Sequence, residues 1–524
     1  MANSFDVIII GSGFGGAVTA CRLAEKGMKV LVLERGRRWE HNAYPRNLND
    51  AWVYDPNEPH RHNGWLDFRV FDDMSIAQGA GVGGGSLIYA NISIEAKPEL
   101  FNQGWPPEIT YNELKPYYDK VGHMLNVQTI PDNQLTRRFN LMKEGAQKLG
   151  YGDRFQKIPI AVTFSPNYDP TRPDPFNDKH SEPFINEQGQ QQGTCVHCGN
   201  CDIGCQVKAK NTLDLNYIPW AEKHGAEVRP LHVVKNIVPE SDGYRVHFDR
   251  ISNSKLIAGS ETAHRVIVAA GSLGSTELLL RCRDQHKSLP NISRFLGNNW
   301  SSNGDFLTPA FYDDREVSPT QGPTITCAID FLDGKVGGRQ FFIEEGGFPN
   351  VLRNYLQAKM KSGSKNSKYQ LLLEAIKLVA RQDDPLGNVM PWFAQGIDAA
   401  DGKLQLKRIW YAPWRRMLSL KWDIKRSEPT IDAIVNMHKQ LAKATGGKPW
   451  VPPTWTLLKN LVTPHPLGGC NMGTTSTNGV VNHKGEVFGY PNLYVADGAI
   501  IPEAIGLNPS RTIAALAERI SALM

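Results

Sequence analysis

The chain has 524 residues, 41% hydrophobic and 21% charged, with 58 Lys and Arg against 53 Asp and Glu and a net charge of +5. This composition excludes a disordered, collagen-like or coiled-coil chain, and the length calls for two sizeable cores. The small positive balance gives no basic stripe for nucleic acid, and no apolar run approaches the roughly 18 residues of a membrane span.

An apolar run, Val7 to Ile10, begins the chain with no room ahead of it for a leader, so a cytoplasmic protein is expected. A glycine turn, a helical stretch from Ala17 to Lys26 ended by Gly27, and a second apolar run from Lys29 to Leu33 predict a strand–helix–strand unit. Its turn, Gly11-Ser12-Gly13-Phe14-Gly15-Gly16, fits the G-x-G-x-x-G pattern. Gly11 permits the tight turn, Gly13 lets backbone approach a pyrophosphate, and Gly16 lets the helix pack on the strand. The helix N-terminus then offers its N–H groups to the phosphates. Glu34, followed by Arg35, stands near the spacing of roughly 20 expected of a carboxylate that holds a ribose. A dinucleotide site is predicted here.

Glycines crowd again between Gly79 and Gly85, before a stretch from Ser86 to Asn91 that reads as extended. Gly81, Gly83, Gly84 and Gly85 with Ser86 imply backbone pressed against a flat or charged ligand. No second complete G-x-G-x-x-G follows, which argues against a flavin disulfide reductase. Residues 165–194 read as a polar surface loop. Cys195, Cys198, Cys201 and Cys205 come next, four of the eight cysteines, in the order C-x-x-C-x-x-C-x-x-x-C. That is the spacing of a ferredoxin-type iron–sulfur run, with reduced structural thiols and then disulfides as the alternatives.

A helix near Leu213 to Lys223, a strand near Glu227 to Val234, and a strand from Arg265 to Ala270 leading into Gly271 and a helix are predicted next. Between about 305 and 455 the pattern becomes short strands and two long helical stretches. One of these, Tyr369 to Val379, has a single apolar face. Trp392, Phe393, Trp410, Trp414 and Trp422, with Phe341, Phe342 and Phe348 upstream, are expected mainly in the core, with a few on a pocket wall that suits an apolar alcohol. Near the end, Pro464 and Pro466 hold His465 rigidly ahead of Gly468 and Gly469. A strand at Leu493 to Ala496, two turns (Asp497 to Pro502, Gly506 to Ser510) and a terminal helix complete the chain.

Four stretches, taken in order, resemble the glucose–methanol–choline oxidoreductases, most closely their cholesterol-oxidase-like branch. They are GSGFGGAVTACRLAEKGMKVLVLERG, GAGVGGGSLIYAN, AAGSLGSTELLL, and HPLGGC through GYPNLYVADGAIIP to GLNPSRTIAALAER. The resemblance is better at the two ends than over 305–455. It implies an α/β fold (α+β overall), with a Rossmann-like FAD-binding domain and a second substrate domain of mainly antiparallel sheet plus helices. The FAD-binding domain would be assembled from residues 1–125, 195–304 and 456–524, with 126–194 as a substrate-side extension and 305–455 as the substrate domain.

By the same resemblance the isoalloxazine lies against the second glycine cluster with Asn91 nearby, and Val234 meets the adenine. Ala270 and Gly271 join the cofactor site, Asp497 and Gly498 cover the pyrophosphate, and Asn508, Pro509 and Ser510 flank the flavin's reactive edge. His465 and Asn508 match the family's active-site pair. The imidazole would receive the hydroxyl proton while a hydride passes to the flavin, and Asn508 would fix the geometry. The implied substrate is a hydrophobic alcohol, sterol-like or long-chain, with dioxygen or another electron acceptor. Some sugar dehydrogenases of the family hold a three-iron cluster beside FAD; matched onto this chain its ligands are Cys198, Cys201 and Cys205, with Cys195 as a fourth candidate. With a cluster the protein would be a dehydrogenase passing electrons to a protein or quinone, or an electron carrier without an alcohol substrate; without one, an oxidase. Sterol oxidases that also isomerise their product share a Glu in the substrate domain. The aligned stretch here, Asp383 to Met390, has none, which argues against coupled isomerisation.

Overall fold

The opening strand–helix–strand unit forms as predicted. Phe5–Ile10 pairs in parallel with Val30–Leu33, in the register Val7 to Val30 and Ile10 to Leu33, with helix Phe14–Glu25 between them in sequence. Val7 to Ile10 and Val30 to Leu33 are all buried without alternation, as strands covered on both faces must be. The computed structural model describes residues 4–349 and 387–524 except 48, 73, 410, 411, 457, 458 and 460; for 412–414, 453 and 454 it describes the backbone alone.

The sheet around this unit has seven strands, in the order Glu227–Arg229, Val30–Leu33, Phe5–Ile10, Lys255–Val268, Gly243–Ser252 and His232–Glu240, with Leu493–Val495 beside Lys255–Val268. The single strand expected from Glu227 to Val234 is broken at Leu231, whose φ is 61°, and the chain continues into a long antiparallel meander ending at Val268. One side of this meander is partly solvated, so charged residues such as Arg245, Asp249 and Glu261 interrupt the apolar pattern that would have revealed it. Helix Phe14–Glu25 packs against Tyr217–Lys223 and the terminal helix Ser510–Leu523.

A second, wholly antiparallel sheet runs Lys448–Pro449, Phe306–Phe311, Val389–Gly396, Phe341–Glu345, Cys327–Asp330 and Phe155–Lys157. Its last strand comes from residues 126–194, so that region contributes to this second sheet. Helix Glu428–Ala444 packs on this sheet and is one of the two predicted helical stretches. The other, Tyr369 to Val379, lies outside the described residues, as does Trp410. The polar loop at 165–194 carries only a short hairpin, Pro183–Ile185 with Gln191–Gly193.

A small third sheet places the two ends of the chain together. Leu461–Thr463 runs parallel to Met74–Gly79, pairing Thr463 with Ile76, so the segment bearing His465 leaves the sheet beside the second glycine cluster. After that cluster the chain is not extended as expected. Gly84–Leu87 is a tight 3-10 turn entered from Gly83 at φ 105°, and Asn91 is left-handed at φ 70°. Among the described residues no helix is long and apolar enough to cross a membrane.

Candidate active site

A cavity of about 1080 Å³ lies where these elements meet, just above the roughly 300–1,000 Å³ usual for ligand sites. Of the predicted cofactor residues, Gly11, Gly13, Phe14, Gly15, Glu34, Arg35, Gly84, Gly85, Val234, Ala270, Gly271, Asp497, Gly498, Asn508, Pro509 and Ser510 line it, and His465 does too. Gly16, Gly81, Gly83, Ser86 and Asn91 do not, and the first four have other tasks. A Cβ on Gly16 would stand 2.0 Å from Gly11 O, so this glycine serves helix packing, and one on Gly81 would meet the Trp39 ring at 2.5 Å. Gly83 supplies the left-handed entry to the turn. Ser86 Oγ donates to Gly83 O at 2.7 Å and accepts from Leu213 N at 3.1 Å, which stiffens the wall from behind.

The residues present fit a dinucleotide such as FAD. Cβ atoms on Gly11 and Gly15 would strike the carbonyls of Ala269 and Ala496 at 2.4 and 1.7 Å, so the turn is pressed into the sheet ends. Gly13 differs, because its nearest neighbour would be 4.0 Å away and its open side belongs to the cavity. No side chain caps the helix that begins at Phe14 and no acid occupies its first turn, leaving its N–H groups to an anion. Glu34 accepts from Ser12 N and Oγ at 3.0 and 2.7 Å and from Gly36 N at 2.9 Å, so its carboxylate joins two turns as well as facing the cavity. Asp497 does likewise for Gly271 N, Ser275 Oγ and Ala499 N. Asn91, fully buried beside the lining residues Ala90 and Ile92, has neither side-chain polar atom paired.

At the other end of the cavity, His465 Nδ1 lies 2.9 and 3.0 Å from the two carboxylate oxygens of Asp305, which is completely buried on strand Phe306–Phe311's leading edge. Burial alone would push the imidazole pKa down, but the Asp305 charge and hydrogen bond outweigh it and raise it from its usual value. Phe393 stands 6.4 Å away, ring centre to ring centre, and among the described side chains of the expected set it is the one on the cavity wall; Trp392, Phe341 and Phe342 are core.

Sequence reasoning missed both carboxyls of this site. Asp305 had no motif around it. The second is Glu344 on strand Phe341–Glu345, away from the stretch Asp383 to Met390 considered in the sequence, of which Asp383 and Asp384 lie outside the described residues. Glu344 is fully buried, accepts from Gln395 Nε2 at 3.0 Å and faces Asn508 and His465. Burial pushes its pKa up to about 8. Glu344 Oε1, Gln395 Oε1 and Asn508 Oδ1 have no partner, a set of buried acceptors suited to a polar ligand edge. The signal available was Glu344-Glu345 inside an apolar strand: such neighbours point to opposite faces, and Glu345 turns away to Arg138 and Thr326.

The iron–sulfur expectation for Cys198, Cys201, Cys205 and Cys195 is not met. Among the described residues no three His, Cys, Asp or Glu side chains are arranged to hold a metal, and all eight cysteines are free. Burial raises the thiol of Cys195 well above its usual range and that of Cys198 to about 12. The segment instead serves as packing. His197 bonds Gly322 O and Gln134, Lys210 donates to the carbonyls of Leu87, Tyr89 and Cys201, and Asp202 and Ile203 reach the cavity wall.

Residues 402–517 match the family described as GMC oxidoreductase, and residues 9–72 match an NAD(P)-binding Rossmann-like domain. The chain is 32% identical to a cholesterol oxidase of Acinetobacter baumannii over 98% of its own length and 93% of that protein's. It is also 32% identical to a cholesterol oxidase of Mycobacterium tuberculosis, over 100% of this chain and 91% of the relative. Among solved structures, a formate oxidase of Aspergillus oryzae studied for FAD modification shares the fold, with a TM-score of 0.64 at 14% identity, covering 100% of this chain and 98% of that one.

Proposed function

The chain belongs to the GMC oxidoreductase family, on its cholesterol-oxidase-like branch, and is an FAD-dependent oxidoreductase acting on CH–OH donors; from that premise we propose that its substrate is a hydrophobic ring alcohol of the sterol class, that dioxygen is its electron acceptor, and that His465 takes the hydroxyl proton. The observation that carries this is the meeting, in one cavity with the glycine turns, of His465 held by Asp305 and Asn508 beside Glu344. The apolar wall that includes Phe393, Leu307 and Ile325 suits a sterol ring system better than a sugar.

Bound FAD supplies the two-electron acceptor for the hydride. The pyrophosphate belongs at Gly11 to Gly15 and the helix N-terminus, the adenosine toward Glu34 and Val234, and the flavin toward Gly84, Gly85 and Asn508. As the carbinol C–H bond gives up its hydride, the O–H bond gives up its proton to Nε2 of His465, and C=O forms. With Nδ1 committed to Asp305, Nε2 is the ring nitrogen left for the substrate. Asn508 orients the oxygen. The eight free cysteines suit a reducing compartment, and we assign the enzyme to the cytoplasm.

The test is aerobic turnover of the purified flavoprotein with cholesterol in detergent micelles, a long-chain primary alcohol and glucose. One hydrogen peroxide per ketone formed from the sterol, with little turnover of glucose, is expected. Turnover of glucose in preference to the sterol, or of the sterol only with an artificial acceptor, would refute the reading.

Glu344 adds a second proton-handling group, and with it a sterol 5-ene ketone can be isomerised to the conjugated enone. As a base Glu344 must be ionised, so with a pKa of about 8 its contribution grows as pH rises from 6 to 9. Glu344→Gln is expected to leave the ketone forming while conjugated product falls by at least about tenfold, read by ultraviolet absorbance.

A further inference from the structure

We propose that Asp305 is the positioning residue of His465, fixing the ring with its proton on Nδ1 and Nε2 bare toward the cavity, and that segment 301–305 couples this setting to the loop carrying Asn508. The inference rests on the reading of His465 as the proton acceptor. Burial raises the Asp305 pKa against the pull of His465 and Thr463; ionised, its carboxylate has no proton to donate, and with both oxygens 2.9 and 3.0 Å from Nδ1 it selects the Nδ1–H form of a neutral imidazole. Its own orientation is fixed. The Thr463 hydroxyl lies against Asp305 Oδ2 and accepts from His465 N at 2.9 Å, so Asp305, Thr463 and His465 close a ring of contacts.

The same five residues hold the other half of the site. Asn303 Oδ1 accepts from Ile505 N and Gly506 N at 3.0 and 2.9 Å, and its Nδ2 donates to Leu507 O at 2.7 Å, immediately before Asn508. Ser301 and Ser302 are anchored in turn by the buried Asp398. His465 and Asn508 lie far apart in sequence, yet both take their position from one short segment.

Two titratable groups face the imidazole: Asp305 at Nδ1, and Glu344 from strand Phe341–Glu345. Removing the Asp305 charge leaves burial, which lowers the imidazole pKa, so the acid limb of activity moves to lower pH. An amide in its place can also donate to Nδ1, which puts the ring proton on Nε2 and blocks it as a base.

The experiment compares the FAD-loaded parent, Asp305→Asn and His465→Gln by anaerobic rapid mixing with cholesterol micelles, following flavin bleaching against sterol concentration and pH. Asp305→Asn is expected to cut the limiting rate on the order of 10²-fold or more, with half-saturating sterol and FAD content within about threefold of the parent and the acid limb shifted down. A limiting rate within threefold of the parent with an unmoved limb overturns the proposal. If His465→Gln itself bleaches at the parental rate, it is the reading of His465 that fails. A second measurement needs no change at Asp305: the ¹⁵N histidine spectrum of the parent holoenzyme, with His465→Gln identifying the resonance. An Nδ1-protonated neutral ring supports the proposal, and an Nε2-protonated one overturns it even if Asp305→Asn does not load FAD.

Discussion

His465→Gln is expected to lower kcat/KM for a sterol alcohol by about 10²–10⁴-fold, the range a positioned acid–base group supplies, or roughly 3–5 kcal/mol of barrier. Glutamine can hydrogen-bond the hydroxyl but cannot hold its proton at neutral pH, so it separates a base from a mere hydrogen-bond partner. FAD content should not change, because the glycine turns that fit the cofactor are contributed by other segments. The parental acid limb should vanish as well. It reports an imidazole that must be neutral to act, and it should lie above the ordinary histidine value because the charge of Asp305 raises the pKa of His465. Steady-state kinetics between pH 5 and 9 check both points.

The second large effect separates two glycines that stand two residues apart but differ in role. Gly15→Ala would place a methyl 1.7 Å from Ala496 O, a backbone group held in the sheet. Overpacking of this kind costs about 1–3 kcal/mol and more where backbone must move, so lower denaturant stability and loss of FAD are expected together. Gly13→Ala meets nothing nearer than 4.0 Å and points into the cavity. It should keep the parental stability of the FAD-free protein and still lose FAD by at least about tenfold in affinity, because the methyl fills space the pyrophosphate needs. Denaturant melts and visible spectra of the two variants distinguish these outcomes; equal FAD retention in both would contradict the assignment of the turn.

The parts of the site legible in the sequence were those in which geometry demands a residue type. Gly11 and Gly15 touch backbone so closely that no other residue fits, and Pro464 and Pro466 advertise His465. Asp305 and Glu344 stayed hidden because a lone carboxyl in a strand or its approach carries no spacing rule; only the fold brings them to His465 from far away in the chain. The cysteine run was legible as a pattern but not as a function. Its spacing fits a cluster, but the backbone between Cys195 and Cys205 is spent on contacts of His197 and Asp202, and among the described residues no three metal-ligating side chains are arranged to hold an ion. In the fold, the buried parallel strands announced themselves as apolar runs, whereas the middle of the meander, between Lys235 and His264 with charges along its partly solvated side, did not.

The most direct test of the central claim is the visible spectrum of the purified flavoprotein mixed with cholesterol micelles in the absence of air. The account predicts that the flavin bands bleach in one turnover, that admitting air restores them with one equivalent of peroxide, and that His465→Gln bleaches at least a hundredfold more slowly. Bands that persist with the sterol, or bleach equally fast in the variant, would contradict it.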